Sequence, residues 1–206
     1  MTESLRTVVV ATRNAHKLRE IREILDGLGL ELRSLDAFTG VPEVEEDGAT
    51  FRDNALKKAV AVAAATDHWA IADDSGLVVP ELNGDPGVHS ARYAGEDATD
   101  RCNRVKLHEE IARAGLDRPR AHFRCAMVLV DPNGDIVAEA DERCEGRIVT
   151  EERGDGGFGY DPMFFDEELG RTFAEIPAEV KNARSHRGRA LRALRPRLEE
   201  RLPEGR

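Results

Sequence analysis

A five-residue apolar run, Thr7-Val8-Val9-Val10-Ala11, leads directly into a polar turn and an amphipathic helical pattern, and this unit constrains the chain more than any other stretch. The run is short and continuous, which reads as a buried strand. Behind Thr12-Arg13-Asn14, the residues Leu18, Ile21, Ile24 and Leu25 recur on one helical face. Asn14 suits the N-cap, and Gly27 and Gly29 bound the far end. A strand, a short turn and a helix start offer free backbone N–H groups and the positive end of a dipole to an anion. Lys17, in the first helical turn, adds a charge beside them. The glycines and the G-K-[ST] ending of a P-loop are missing. An ordinary capped helix shares the pattern, so a phosphate site needs support from elsewhere in the chain.

The second informative stretch is Ile71-Ala72-Asp73-Asp74-Ser75-Gly76-Leu77, with apolar residues before it and Val78-Val79 after it. Two carboxylates, a hydroxyl and a glycine sit where a buried strand is expected to surface. Adjacent strand residues face opposite sides, so Asp73 and Asp74 should point different ways. One could bind a metal or a water while the other holds the loop. A strand ending in an Asx-rich turn has the same composition.

At 206 residues the chain reads as a single domain, 1–206, with two lobes and a substantial core. Its net charge of −10 argues against indiscriminate binding to nucleic acid or to an anionic membrane. Positive contacts to an anionic substrate must therefore be gathered locally. Cys102, Cys125 and Cys144 lack C-x-x-C spacing, which points to a reducing cytoplasm rather than a disulfide framework or zinc knuckle. No apolar run approaches the roughly 18 residues of a membrane span. Arg13-Asn14 and His16-Lys17 interrupt any signal-peptide pattern.

Val41 to Gly48 forms an acidic loop before a second helix, in which Thr50-x-x-Asp53 resembles a capping box and Phe51, Ala55, Ala59 and Val62 share a face. The acidic cluster reads either as a solvated loop or as a source of metal carboxylates. Of Lys57 and Lys58, one should face solvent. That helix should end near Ala65-Thr66-Asp67. A third helix is expected from Asp97 or Thr99 to Ala114-Gly115, with Cys102, Val105 and Ile111 inward. A hairpin from Phe123 to Ala138 turns at Asp131-Pro132-Asn133-Gly134, and Gly146-Arg147-Ile148-Val149 reads as a further strand. The glycine-rich segment Gly154 to Pro162 breaks every periodicity and carries two aromatics on what reads as a mobile loop, suited to stacking on a flat base. Ser185 should cap a last helix, placing His186 and Arg187 where they oppose the dipole unless an anion lies between them. The tail Pro203-Glu204-Gly205-Arg206 should fray. Together these features suit magnesium with a polyphosphate, which needs hard oxygen ligands, cations and N–H donors. They lead to a magnesium-dependent nucleotide hydrolase.

Five stretches fall in the order and spacing of one family: Ala11-Thr12-Arg13-Asn14-Ala15-His16-Lys17; Glu45 to Phe51 with Asn54 to Ala59; Ala72 to Leu77; Gly156 to Pro162; and Ser185-His186-Arg187-Gly188. Asp85-Pro86-Gly87 and Ser90-Ala91-Arg92-Tyr93 match too. The chain resembles the inosine triphosphate pyrophosphatases, in their bacterial XTP/dITP diphosphatase branch, over nearly its whole length. The resemblance implies hydrolysis of deaminated purine triphosphates (XTP, ITP, dITP) to the monophosphate and pyrophosphate. It also implies a homodimer and an elongated α/β fold with a long mixed sheet flanked by helices, the active site lying in a cleft between lobes.

Carried over by motif, Thr12, Arg13, Asn14, Ala15, His16, Lys17 and Lys58 hold the triphosphate. Glu46 and Asp74 bind Mg2+, with Glu45 the neighbouring alternative, and Asp74 also takes the proton of the attacking water. Asp73 and Lys17 support that centre, and Ser75 touches substrate. Phe158 stacks on the base, with Gly159, Tyr160, Asp161, Lys181, His186 and Arg187 completing the pocket. Arg13 and His16 stand where the family often has glycine, which makes the phosphate loop bulkier. The rival readings are a house-cleaning pyrophosphatase for other modified nucleotides, and a nucleotide-binding sensor without the chemistry.

Overall fold

The computed structural model describes residues 6–201, and the tail expected to fray lies outside them. The elements are β1 (Arg6–Val10), α1 (Ala15–Leu25), β2 (Leu30–Ser34), α2 (Phe51–Thr66), β3 (Trp69–Val78), α3 (Asp100–Arg113), β4 (Arg120–Val130), β5 (Ile136–Ile148), β6 (Phe164–Asp166), β7 (Arg171–Thr172), α4 (Ala178–Arg184) and α5 (His186–Arg201). The chain divides into two compact units. The first comprises Met1–Asp74, Cys125–Glu142 and Arg187–Arg206, and the second Ser75–Arg124 and Arg143–His186.

In the first unit the strand order is β2-β1-β3-β4-β5, with β1 parallel to both β2 and β3. Strand alternation sorts its residues onto two faces. Val8, Val10, Ile71, Met127 and Leu129 pack with Ile21 and Leu25 of α1 and with Leu191, Leu194 and Leu198 of α5. Val9, Ala11, Ala70, Ala72, Val128 and Val130 pack instead with Ala55, Ala59, Val62 and Ala63 of α2. A strand covered on both faces must be apolar at every position, which is why Thr7 to Ala11 shows no polar alternation. The expected caps form. Asn14 Oδ1 accepts from the N–H groups of His16 and Lys17, and Thr50 Oγ1 accepts from Asp53 N–H.

In the second unit the order is β3-β4-β5-β6-β7, and β6 is antiparallel to both β5 and β7, so the sheet is mixed. Its core gathers Leu77, Leu107, Ile111, Phe123, Tyr160, Phe164 and Phe173. Thr99 caps α3 as expected, its hydroxyl accepting from Cys102 N–H.

Three expectations are corrected. Strand β3 does not end at the carboxylates but runs on to Val78, with Asp73 and Asp74 both buried inside it. On α3, Cys102 and Val105 face outward while Asn103, Leu107 and Ile111 are buried. Asn103 takes an inward position because its amide is satisfied there, donating to Ala91 C=O and accepting from Ala94 N–H. Gly146 to Ile148 is no separate strand but the end of β5, which is 13 residues long. No sequence signal was read for β2, β6, β7 or α4. No helix among the described residues is long and apolar enough to cross a membrane.

Candidate functional site

The first unit concentrates charge around the middle of β3. Asp73 has the parity of Ile71 and points toward α1 and α5; Asp74 has the parity of Ala72 and points toward α2. The contacts follow. Lys17 Nζ of α1 lies 2.9 Å from Asp73 Oδ2, and Arg187 of α5 donates to the same oxygen from Nε at 3.3 Å and Nη2 at 3.2 Å. Arg187 also binds Glu20 of α1 in a close ion pair. On the other side, Asn54 Nδ2 of α2 donates to Asp74 Oδ2 at 3.0 Å.

Two neighbouring carboxylates are thus set apart electrostatically. Burial pushes the Asp73 carboxyl up, but the opposing charges of Lys17, Arg187 and Lys58 outweigh it and hold the group well below the usual carboxylate range. Burial pushes Asp74 up as well, and the negative charge of Glu46 adds to the rise. Lys58, Lys17 and the Asn54 hydrogen bond only partly oppose it, so Asp74 ends above its ordinary value. Burial lowers Lys17, yet the Asp73 charge prevails and its pKa is raised. Lys17 therefore stays protonated. The Arg187 guanidinium, desolvated but facing Asp73 and Glu20, is likewise held in its charged form.

The acidic loop is tied into this group. Lys58 Nζ stands 3.1 Å from Glu46 Oε2, whereas Glu45 is exposed and Lys57 reaches outward to Asp47 at 2.6 Å. Asn54 is bifunctional: its Oδ1 accepts from Gly48 N–H at 2.7 Å while its Nδ2 holds Asp74. The approach is close enough that a Cβ on Gly48 would lie 2.6 Å from Asn54 Oδ1. At the helix start, Thr12 and Lys17 are half-buried, and Arg13, Asn14, Ala15 and His16 are exposed. Thr12 Oγ1 accepts from Asn14 N–H at 3.1 Å, which braces the turn.

The second unit holds the remaining expected residues. Asp161, buried, accepts from Phe158 N–H at 2.8 Å and from Lys181 Nζ at 2.6 Å. Lys181 Nζ lies 4.6 Å from the centre of the Phe158 ring, within cation–π range. His186 is buried, stacked on Phe123 with centroids 4.8 Å apart and planes at 17°. The Tyr160 hydroxyl donates to Ser90 C=O at 2.9 Å, so this ring is anchored through its polar tip. Ser75, half-buried, follows Asp74 on β3.

The glycine-rich segment makes close contacts through its backbone. Gly156 N–H donates to Ala174 C=O at 3.0 Å, and a Cβ on Gly154 would fall 2.4 Å from the Ala174 carbonyl. At Gly157, with φ of +71°, a Cβ would sit 2.1 Å from Asp161 Oδ2. These glycines permit close backbone approach. Reading the sequence also left Asn54 and Glu20 without roles. Asn54 could have been found, since helical spacing from Phe51 and Ala55 puts an amide on the buried face of α2. Glu20 sits on a partly exposed side of α1 and gives no such signal.

Arg187 differs most from the role its motif suggests. It is 1% exposed, and its guanidinium is engaged by Asp73 and Glu20 of its own unit.

Among the described residues, no group of three or more His, Cys, Asp or Glu side chains is placed to enclose a metal. Glu46 and Asp74 make a pair, electrostatically coupled and only partly neutralised by lysines. Mg2+ is commonly held by one or two carboxylates together with substrate phosphates and water, so a two-carboxylate donor set of hard oxygens fits such an ion.

The family model of Ham1 matches residues 8–197. A dITP/XTP pyrophosphatase of Geobacter sulfurreducens is 54% identical over 191 residues, covering 93% of this chain and 96% of the relative. The solved structure of a HAM1 protein from Coxiella burnetii, 40% identical, superposes with a TM-score of 0.87 over 95% of this chain and 99% of that one. A nucleoside-triphosphatase and dITP/XTP pyrophosphatase from Mycobacterium abscessus, 41% identical, gives a TM-score of 0.74 over 93% and 99%.

Proposed function

The chain belongs to the Ham1 family, and from that premise we propose that it hydrolyses deaminated purine nucleoside triphosphates, dITP, XTP and ITP, to the monophosphate and pyrophosphate. The observation that carries the chemistry is the opposite treatment of two adjacent carboxylates. Asp73 is held ionised among cations, and Asp74 is pushed up by burial and by Glu46. Asp73 is therefore the fixed countercharge of Lys17, and Asp74 is the carboxylate assigned to the attacking water.

In this reading Asp74 accepts a proton from a water as the water oxygen bonds to the α-phosphorus. The bond from that phosphorus to the bridging oxygen breaks, and pyrophosphate leaves with the electron pair. Lys17 and Lys58 are the cations for the phosphate oxygens, joined by the N–H groups at the start of α1 between Thr12 and Lys17. Asp73 orients Lys17 on the face of β3 opposite to Asp74, and Arg187 is the countercharge that keeps Asp73 in place. Glu46 and Asp74 are the residues that would hold Mg2+, with Asn54 fixing the orientation of Asp74. When bound, the ion would neutralise phosphate charge and polarise the phosphoryl oxygens.

Phe158 is the platform for the base. Lys181, held by Asp161 at the ring face, provides a donor for a 6-oxo group. Hypoxanthine and xanthine present that acceptor together with an N1–H donor, whereas adenine inverts both. A site built for the first edge can reject the second by up to about 10⁴-fold. The resemblance to the pyrophosphatases supports a homodimer working in the cytoplasm.

The experiment that tests the assignment is a panel of dITP, XTP, dGTP, dATP and modified pyrimidine triphosphates with Mg2+, followed by separate assays for pyrophosphate and orthophosphate. Pyrophosphate from dITP and XTP in strong preference to the others is expected. Preference for a modified pyrimidine, or tight binding of dITP without turnover, would overturn it.

A further inference from the structure

The loop that carries Phe158 is gripped from a helix that takes no part in the chemistry. Asp100 and Arg104 lie four residues apart, one turn along α3, and both reach Gly159. Asp100 Oδ2 accepts from Gly159 N–H at 2.7 Å, and Arg104 Nη1 donates to Gly159 C=O at 2.8 Å. Arg104 Nε also donates to Glu152 Oε1 at 3.0 Å, so one guanidinium ties Gly159 to the residues just before the glycine-rich segment. Both contacts to Gly159 place a charged group on a backbone partner, and such bonds are stronger than neutral ones. The helix supplying them is itself fixed. The buried Asn103 ties α3 to the Ala91 to Ala94 turn through both ends of its amide.

We propose that Asp100 and Arg104 are positioning residues for base recognition, clamping the N–H and C=O of Gly159 so that the adjoining Phe158 ring is presented at a fixed place before the nucleotide arrives. The proposal rests on the reading of Phe158 as the base platform. Gly159 has φ of +62° and no heavy atom within 4 Å of where a Cβ would lie, so its own packing does little to fix this turn. On one side Asp161 holds Phe158 N–H, and on the other α3 holds Gly159. An aromatic side chain between two such anchors loses less conformational freedom on binding a base, which lowers the cost of association. Releasing the α3 side should therefore weaken base binding while leaving the phosphate chemistry of the first unit alone.

The test compares Asp100→Ala and Arg104→Ala with the conservative Asp100→Asn, which retains an acceptor, and Arg104→Lys, which retains one donor. Two readouts are used. Hydrogen exchange of the substrate-free protein should show faster exchange across residues 154–162 in the alanine variants and near wild-type exchange in Asp100→Asn. With dITP, each alanine variant should raise KM roughly tenfold with kcat within about twofold, the pattern of lost uniform binding. In a Phe158→Ala background the same substitutions should add almost nothing, since they act through that ring. Unchanged exchange, an unchanged KM, or a KM effect of equal size without Phe158 would overturn the proposal. Failure of the wild-type protein to act on dITP would sink the functional reading instead, while the exchange experiment would still report on the clamp.

Discussion

Asp73 and Asp74 are consecutive residues of one buried strand whose carboxyls are driven in opposite directions, Asp73 down by Lys17 and Arg187, Asp74 up by burial and Glu46. The division follows from strand geometry. Successive side chains leave a strand on opposite faces, and here one face is lined by α1 and α5 and the other by α2. Two adjacent residues thereby take their direct partners from different faces, Asp73 from Lys17 and Arg187 and Asp74 from Asn54.

Asp74→Asn should abolish turnover, because the amide cannot accept the water's proton, without weakening the fold. A carboxyl whose folded pKa is raised costs stability as pH rises from its ordinary value of 3.8 through the folded value. The substitution removes that cost, and an asparagine oxygen can still accept from Asn54. The melting temperature of Asp74→Asn should equal or exceed that of the wild type at pH 7 to 8, and the two should converge below about pH 4. Thermal melts across pH check this, and measurable activity in the variant would remove Asp74 from the base role.

Asp73→Ala should destabilise strongly, by about 3–5 kcal/mol, since it removes the carboxylate paired with a largely buried ammonium and one of the two paired with a buried guanidinium. The sign with pH is opposite to that of Asp74. A depressed pKa means stabilisation that is present above the ordinary value of 3.8 and lost as pH falls toward the folded value. The penalty measured by denaturant titration should therefore be full at neutral pH and shrink in strong acid. A penalty below 1 kcal/mol at pH 7 would show that Arg187 and Lys17 are not held by this carboxylate.

Gly48→Ala should lower kcat by roughly ten- to a hundredfold, because a Cβ 2.6 Å from Asn54 Oδ1 must displace the amide that also holds Asp74. The fold should survive, since the site is a surface loop. Single-turnover rates and circular dichroism of the variant check this together; normal kcat would mean that Asn54 does not orient Asp74.

Phe158→Ala should raise KM for every purine triphosphate by the loss of base stacking, about 1–3 kcal/mol, with kcat little changed. Steady-state kinetics on dITP and dGTP decide it. An unchanged KM would place the base on another surface.

Much of this architecture is written in local pattern. The apolar run at Val8 to Val10, the caps at Asn14, Thr50 and Thr99, and the end of α2 near Thr66 follow from residues within a turn or two of each other. Asp73 and Asp74 break the apolar character of their strand, so local pattern predicts it shorter than it is. Their burial is made possible by Lys17, Asn54 and Arg187, up to 114 residues away in sequence. The facing of α3 was misjudged for a related reason: Asn103 reads as polar but is satisfied internally, and Cys102 and Val105 read as apolar but face outward. In the candidate site, the pairing of Arg187 with Asp73 and Glu20 is long-range, and no local spacing encodes it. The glycines of the Phe158 loop signal freedom, yet three of them allow close approach, Gly154 and Gly156 to Ala174 and Gly157 to Asp161.

The most direct test of attack at the α-phosphorus is hydrolysis of dITP in water enriched in oxygen-18, with mass spectrometry of both products. One labelled oxygen should appear in the deoxyinosine monophosphate, and the pyrophosphate should be unlabelled. Label in pyrophosphate, or release of orthophosphate in its place, would contradict it.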